Sequence, residues 1–477
     1  MSITIKILSR TVSSLLSNNT KQQLRQMASS ICNEEANKAA IVAVGQICAT
    51  SDKANNLRQV EELVGQAKAQ QAKLLFLPEC CDFVGENRAQ TLELAEPLNG
   101  ELMRKYRELA KTQKIWLSLG GIHELKTSAE GETGKIYNAH VLLNDQGEVA
   151  GIYRKLHLFD ATTKEIRLRE SDTVAPGERL ERPVDTPIGQ VGLQICYDLR
   201  FAEPALLLRK MGAQLLTYPA AFTFATGKAH WEILLRARAI ETQCFVVAAA
   251  QQGWHNKKRQ SWGHGMIISP WGKVLADCGG EQKLGIAVAK LDLSELERIY
   301  QSMPCFEHRR NDIYSLTGYN LNCSTTDAGQ DRAFADNIVD KRSIFYESEH
   351  CYAFTNLRCV VKGHVLVSTK RVVPRLNGLS CAELTDLFAT VCLVQRMLES
   401  YYGTTSATVT VQDGTQAGQT VPHVHFHVMP RRVGDFAHND QIYVKMDECA
   451  ETTPPRTLED RIDEAQQYRK YLQCQAS

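Results

Sequence analysis

No apolar run in this chain reaches the roughly 18 to 20 residues that a helix needs to cross a bilayer, which excludes a membrane-spanning helix and leaves a soluble protein as the expectation. Excess charge of one sign is also missing: 55 basic residues stand against 54 acidic ones, a formal net charge of +1. That balance excludes a broad electrostatic footprint for nucleic acid or a membrane surface, so a nucleotide would have to be held by a local site. An even cysteine framework is lacking. The fifteen cysteines include no pair at the spacing of a zinc knuckle, and Cys80 and Cys81 are neighbours, poor geometry for a mutual bridge or for chelation. A reducing compartment follows. The first thirty residues contain no Asp or Glu, yet carry Lys6, Arg10, Lys21, Arg25 and many Ser and Thr. This is the composition of a mitochondrial transit peptide without the continuous apolar core of a secretory signal. A disordered tail is the other reading of residues 1–35, and Met27 could start a shorter cytosolic form, so cytoplasm, mitochondrion or both are expected.

What is present is enough to build real cores: 477 residues, 43% of them hydrophobic, sufficient for two or three domains. No internal repeat or low-complexity tract interrupts them. Residues 319–330 turn polar and aperiodic and read as a linker between segments 36–318 and 331–477. In the first segment Ile41 to Ile47 reads as a strand, Asn55 to Gln71 as a helix and Leu74 to Leu77 as a strand, a βαβ start. A helix over Glu101 to Lys111, a strand over Ile115 to Gly120, and a hairpin with arms Asn138 to Leu143 and Glu148 to Tyr153 follow. Beyond them come a strand Gln214 to Tyr218, a helix His230 to Gln243 and a strand Cys244 to Ala250. Two sheets covered by helices accommodate this alternation.

The chemistry of that segment centres on Val191 to Phe201, VGLQICYDLRF. Apolar residues alternate up to Ile195 and a helix is expected after Pro204, so Cys196 falls where a buried strand hands over to a turn. A thiol displayed there needs a base and an oxyanion donor. Two other apolar strands end in charge, LLFLPE at Glu79 and IYRKLHLF at Lys155. A carboxylate and an ammonium beside the thiol would supply a thiolate nucleophile, a proton shuttle and an oxyanion donor, although an isolated buried cysteine is more often inert packing. For His157, His230 and His264, packing or surface roles are the preferred reading.

LPE, YRKLHLF and GLQICYDLRF, in this order, resemble the nitrilase superfamily and its Nit branch of amidases, over about Ala40 to Thr317. The resemblance implies an αββα sandwich, with Glu79 as general base, Lys155 supporting the tetrahedral intermediate and Cys196 forming a thioester. A second glutamate of the family, which positions substrate and lysine, maps to Glu170, and the backbone N–H of Tyr197, just after the nucleophile, is a candidate oxyanion donor.

The second segment reads as strands Ile344 to Phe345, Cys351 to Leu357, His364 to Ser368 and Ala407 to Gln412, with an amphipathic helix Ser380 to Ser400 behind a serine cap and a closing helix Thr457 to Leu472. Within Gln419 to Pro430 lies HVHFHV. A period of two places His423, His425 and His427 on one strand face. Three imidazoles together could bind zinc, pack in a core or hold phosphate; Gly414, Gly418 and the run GQT favour phosphate, because they bring small residues and backbone N–H groups alongside. Neutral imidazole is also a competent nucleophile near pH 7.

QDGTQAGQTVPHVHFHVMPRR, with GHVLVS and AFTN, resembles the histidine-triad superfamily and its Fhit branch of dinucleoside polyphosphate hydrolases, from about Asp331 onward. The fold this implies for the whole chain is α/β, an N-terminal nitrilase-like sandwich plus a C-terminal α+β histidine-triad domain. His425 would attack the α-phosphate and form an adenylyl-histidine. His427 and Gln412 would contact phosphate, the His423 carbonyl would hold the His425 ring, Asn356 would touch a ribose hydroxyl, and Gly418 and Gln419 would frame the phosphates. His364 is either hydrogen-bonding support for that site or a plain core histidine. The stretch Asp435 to Glu451 corresponds to a mobile loop of the family, where Tyr443 is either a phosphorylatable residue or an ordinary surface ring. Pro422 departs from the basic or polar residue carried by other members.

Together the two resemblances imply a bifunctional hydrolase. One half would take a small carboxylate-bearing amide such as deaminated glutathione, and the other would cleave diadenosine triphosphate to AMP and ADP. An ω-amidase or N-acyltransferase remains open for the first half, and a nucleotide-bound signalling module for the second. No cofactor is expected for the amidase, and magnesium would accompany only the polyphosphate substrate. The expected partners are the two small molecules and further copies of the chain in a homotetramer, without nucleic acid or membrane.

Overall fold

The computed structural model describes residues 39–476 apart from 129–130, 163–166, 282–283, 311–312, 315, 317 and 319–328. The proposed targeting segment and most of the proposed linker therefore lie outside the described residues. The chain divides into two compact units between Arg309 and Arg310.

The first unit is an α/β sandwich. One sheet runs, in spatial order, Gln260–Trp262, Ala250–Trp254, Ala39–Ile47, Leu74–Phe76, Trp116–Ser128, Gly131–Leu143 and Val149–Arg154, with Gly285–Asp292 also pairing antiparallel with Ala39–Ile47. Helices Lys53–Ala69 and Glu101–Gln113 cover it: Val60, Leu63, Ala67, Met103, Tyr106 and Ala110 share one buried cluster with Ala43, Leu75 and Leu117. The helical spacing of those residues directs one apolar stripe onto the sheet. The second sheet runs Val274–Asp277, Met266–Ile268, Phe245–Ala248, Leu215–Thr217, Gly189–Leu193 and Val184–Thr186, under helices Ala202–Lys210 and Phe224–Thr242.

Two glycines set how closely the site-bearing loops approach. A Cβ on Gly120 would stand 2.0 Å from the Leu77 carbonyl oxygen and 2.2 Å from Pro219 Cβ, and one on Gly121 would stand 2.6 Å from Asn138 Oδ1. Leu77 leads into Glu79, and the Pro219 carbonyl accepts the Cys196 N–H at 2.9 Å. The missing side chain at Gly120 is what lets the loop before Glu79 and the loop beside Cys196 meet.

The second unit is a five-stranded antiparallel sheet, ordered Ile344–Glu347, Cys351–Thr355, Val365–Thr369, His425–Pro430 and Ala407–Val411. Helix Cys381–Tyr402 starts at a Ser380–Glu383 capping box and stops at Gly403, whose φ is +62°, the left-handed end that glycine accommodates best. This helix and Leu458–Ala476 bury one face of the sheet against Val424, Phe426 and Val428. On the other face the hairpin Arg332–Phe334 and Asn337–Val339 delivers Phe334, whose ring centroid lies 5.1 Å from that of His425. Where a mobile loop was expected, residues Gln441–Thr452 form a helix. Ile442 is fully buried and anchors it, while Tyr443 is half exposed.

Candidate active sites

Each candidate residue of the first unit sits just past the end of a strand. Glu79 follows Leu74–Phe76, Lys155 follows Val149–Arg154, and Cys196 follows Gly189–Leu193 at the head of a single 3-10 turn, Cys196–Arg200. Cys196 has φ +46°, a strained left-handed conformation for a residue with a Cβ. Asp198 holds it there. Its buried carboxylate accepts the Ile195 N–H at 2.9 Å, the Tyr153 hydroxyl at 2.8 Å and the His157 N–H at 3.1 Å. Because Tyr153 and His157 flank Lys155, one carboxylate fixes nucleophile and lysine relative to each other.

The three candidates meet. The Lys155 ammonium donates to Glu79 Oε1 at 2.9 Å and to Glu170 Oε2 at 2.9 Å, and the Cys196 thiol interacts with both the Glu79 carboxylate and that ammonium. Glu79 Oε2 accepts the Ala221 N–H at 2.9 Å, and Glu170 Oε2 accepts the Phe159 N–H at 2.7 Å. Asn138 Nδ2 donates to Glu79 Oε1 at 2.9 Å and lies 3.4 Å from Glu170 Oε1. Glu79, Lys155 and Cys196 are all buried.

Burial by itself would raise the Glu79 carboxyl, but the Lys155 ammonium and the Cys196 thiol hold it well below the usual carboxylate range. For Lys155 burial opposes the charge, and Glu170 and Glu79 outweigh it, so the ammonium is kept well above the ordinary lysine value. Burial pushes the Cys196 thiol up, and the neighbouring carboxylate adds to the effect. The resting arrangement is therefore thiol, carboxylate and ammonium. A resting thiolate is disfavoured, because a third charge would have to be buried beside an ionised carboxylate. Such a site can remove the thiol proton at the moment of attack. The Cys196 N–H is already bonded to Pro219, which leaves Tyr197 as the next backbone N–H in the chain. His157 and His264 pair with Asp198 and Asp277, and His230 lies beside Arg200.

In the second unit the strand His425–Pro430 is paired on both sides, with His425 opposite Ser368 and His427 opposite both Leu366 and Thr410. Residues 425 and 427 share a face, their ring centroids 5.0 Å apart. The fully buried His423 precedes the strand, with Nε2 3.1 Å from both Thr369 Oγ1 and the Arg371 carbonyl. Gln419 uses its amide within the loop, accepting the Gly414 N–H at 2.8 Å and donating to the Pro374 carbonyl at 2.9 Å. Gly414 and Gly418 have φ of +106° and +85°, and a Cβ at Gly418 would lie 2.6 Å from Gln412 Nε2. Asn356 Nδ2 lies 3.2 Å from His364 Nε2, so its side chain adjoins that ring. Among the described residues no group of three or more His, Cys, Asp or Glu side chains is disposed to hold a metal ion.

Hydrogen-bond partners fix the tautomers. The Val360 N–H can only donate, so His364 Nδ1, 3.2 Å away, accepts and the ring proton sits on Nε2. His364 Nε2 lies 2.9 Å from His427 Nδ1, which makes His427 carry its own proton on Nε2, a buried atom without a partner among the described residues. His425 Nδ1 lies 2.7 Å from the His423 carbonyl, so Nδ1 holds the proton and the Nε2 lone pair is free. Burial lowers the titration of His425, and the His423 carbonyl only partly offsets it. His364 is lowered by burial to about 3, and His427 falls well below the ordinary histidine value for the same cause. The cluster is neutral near pH 7: one imidazole offers a lone pair and its neighbour an N–H.

Sequence reading missed Asn138, Asp198, the Ala221 N–H and the two glycines. Asn138 had a signal, a lone amide within the apolar strand IYNAHVLL. The Ala221 N–H had none, because a backbone donor leaves no trace in residue identity.

The sequence matches the carbon-nitrogen hydrolase family over residues 38–301 and the HIT domain family over residues 338–434. It is 72% identical over 451 residues to the nitrilase and fragile histidine triad fusion protein NitFhit of Drosophila melanogaster, covering 94% of this chain and 95% of that protein. It is 49% identical over 282 residues to the deaminated glutathione amidase of Homo sapiens, covering 59% of this chain and 85% of that protein. The crystal structure of C. elegans NitFhit superposes with a TM-score of 0.79 at 44% identity, covering 91% of this chain and 99% of that one.

Proposed function

Because the chain belongs to the nitrilase and fragile histidine triad fusion family, a carbon-nitrogen hydrolase domain followed by a HIT domain, we propose that it carries out two hydrolyses by two covalent routes. The observation that carries the first is the convergence of the Lys155 ammonium and the Cys196 thiol on the Glu79 carboxylate. Glu79 takes the thiol proton as sulfur attacks the amide carbonyl, and Lys155 with the Tyr197 N–H steadies the oxyanion. The C–N bond breaks as Glu79 returns the proton to the departing amine. Water then gives a proton to Glu79 and attacks the thioester, and the carboxylic acid leaves as Cys196 recovers its proton. Glu170 fixes the lysine through its contacts of 2.9 and 3.0 Å. The human relative named for deaminated glutathione favours that amide over the ω-amidase substrates α-ketoglutaramate and α-ketosuccinamate.

In the HIT domain His425 Nε2 attacks the α-phosphorus of diadenosine triphosphate, expelling ADP. Water cleaves the N–P bond and releases AMP. His427 Nε2–H and the Gln412 amide donate to phosphate oxygens, Gly418 and the backbone of Gln419 line them, and His423 and His364 act through the rings they orient. Asn356 reaches the ribose once it leaves the His364 ring, and magnesium travels with the polyphosphate. Four chains assemble as a homotetramer.

Cys196→Ala and His425→Asn test the two halves separately. Each should abolish one hydrolysis, of deaminated glutathione or of diadenosine triphosphate, and leave the other intact; retention of the targeted activity overturns the assignment for that half. Sedimentation at micromolar concentration checks the assembly, and a monomer would contradict it.

A further inference from the structure

One positive charge that acts on Cys196 has no part in the mechanism above. Arg259 sits immediately before the strand Gln260–Trp262, at the end of the turn that joins it to Ala250–Trp254. The strand before that turn is tied to the amidase site, and the turn is braced beside it. Gln251 donates to the Glu79 carbonyl at 2.9 Å and accepts the Ala49 N–H at 2.9 Å. The His255 ring bonds the Ala49 carbonyl at 2.7 Å and Ser261 Oγ at 2.8 Å, and the His255 N–H meets the Arg259 carbonyl at 2.9 Å. The backbone N–H of Arg259 itself bonds Asn256 Oδ1 at 2.9 Å, so the position is fixed on both sides.

The Arg259 side chain is half-buried. Its guanidinium interacts by charge with Cys80, Glu79, Cys196 and Glu170, with no hydrogen bond or ion pair among the described residues. Neither carboxylate is waiting for it: Glu79 holds Lys155, Asn138 and the Ala221 N–H, and Glu170 holds Lys155 and the Phe159 N–H. A guanidinium has five N–H groups in a planar fork suited to a carboxylate.

We propose that Arg259 is the specificity residue of the amidase site, binding a carboxylate carried by the amide substrate and thereby selecting acidic amides over neutral ones. The inference rests on the amidase reading and adds the group that recognises the acid. Arg259 takes no part in bond making. It orients the amide so that the carbonyl faces Cys196.

The test compares full-length wild type, Arg259→Met and Arg259→Lys on three amides: succinamate, with its carboxylate on the acyl side, N-acetylglycine, with its carboxylate on the amine side, and neutral butanamide. For Arg259→Met, kcat/KM on an acidic amide should fall about 100-fold, mostly through KM, with the butanamide value little changed and partial recovery in Arg259→Lys. Whichever acidic amide suffers the loss locates the carboxylate. Equal losses on acidic and neutral amides would mean that Arg259 only balances the charge of Glu79 and Glu170, and would overturn the proposal, as would no loss on either acid. A second readout needs no variant turnover: succinate should slow alkylation of Cys196 in wild type, and butanamide at the same concentration should not. Should wild type hydrolyse none of the three amides nor deaminated glutathione, the amidase reading itself fails; a wild type that is active yet indifferent to the carboxylate sinks only this inference.

Discussion

His364 Nε2 lies 2.9 Å from His427 Nδ1, and through that contact the Val360 N–H determines which nitrogen of His427 carries the proton. His364 touches no reacting atom, yet without it His427 could present a lone pair where a phosphate oxygen needs a donor. His364→Phe should lower diadenosine triphosphate hydrolysis about 10-fold, the scale of one well-placed hydrogen bond, with amidase turnover unchanged. Steady-state rates of both reactions on one preparation check this. An unchanged phosphohydrolase rate would mean that the ring only fills space.

Lys155 poses the opposite problem, because it stands between two carboxylates that would otherwise be buried side by side. Lys155→Met should cut amidase turnover about 100- to 1000-fold by removing an oxyanion donor. It should also destabilise the unit by about 3–5 kcal/mol, the cost of breaking a buried pair. Glu79 and Glu170 would then titrate upward. A variant that lost activity without any fall in unfolding temperature would show the pair to be better hydrated than its burial implies.

The fold class was legible in the sequence because strand and helix periods alternate cleanly from Ile41 to Tyr153, the stretch that builds most of the first sheet, and again from Gln214 to Ala250, which supplies central strands of the second. The run Cys244 to Ala250 was misread as one strand. It contributes Phe245–Ala248 to one sheet, and the chain then enters the other as Ala250–Trp254. Ala248, Ala249 and Ala250 are all buried, so hydrophobicity is continuous through the crossover and marks no boundary. At the site, Cys196, Glu79 and Lys155 were legible because a nucleophile, a carboxylate and a cation interrupt apolar strands. Asp198 was not: an acid in YDLR looks like an ordinary turn residue until Tyr153 and His157 fold onto it. The helix Gln441–Thr452 was hidden by its polar composition, since Ile442 is the one fully buried apolar side chain among its described residues.

Gly120 gives a backbone test of the amidase geometry. A methyl group there would press on the Leu77 carbonyl and on Pro219, moving the loop that carries Glu79 or the one that holds the Cys196 N–H. Gly120→Ala should destabilise the unit by about 1–3 kcal/mol and cost about 100-fold in amidase turnover, since small misplacements of reacting groups are that expensive. Diadenosine triphosphate hydrolysis should be unaffected. Full amidase activity in this variant would mean that the two loops move together and preserve their spacing.

Acidity should loosen the second unit before it protonates the buried carboxylate of that unit. His364 titrates at about 3 in the folded chain against an ordinary value of 6.5, so below pH 6.5 the unfolded chain takes up a proton that the folded chain refuses. Its contribution to stability is whole above 6.5 and is lost as pH falls toward 3. His423, His425 and His427 are lowered too and act with the same sign. Glu383, carried down to about 2 from 4.5 by its hydrogen bond from Arg371, matters in a lower window, as pH falls below 4.5. Between pH 6.5 and 5 the imidazoles therefore dominate. Amide hydrogen exchange of the strand His425–Pro430 should accelerate over that interval beyond the change in intrinsic rate, and His364→Phe should weaken the dependence. Protection that stayed level from pH 7 to 5, or fell equally in variant and wild type, would mean that the histidines take up protons in the folded unit as readily as in the unfolded chain.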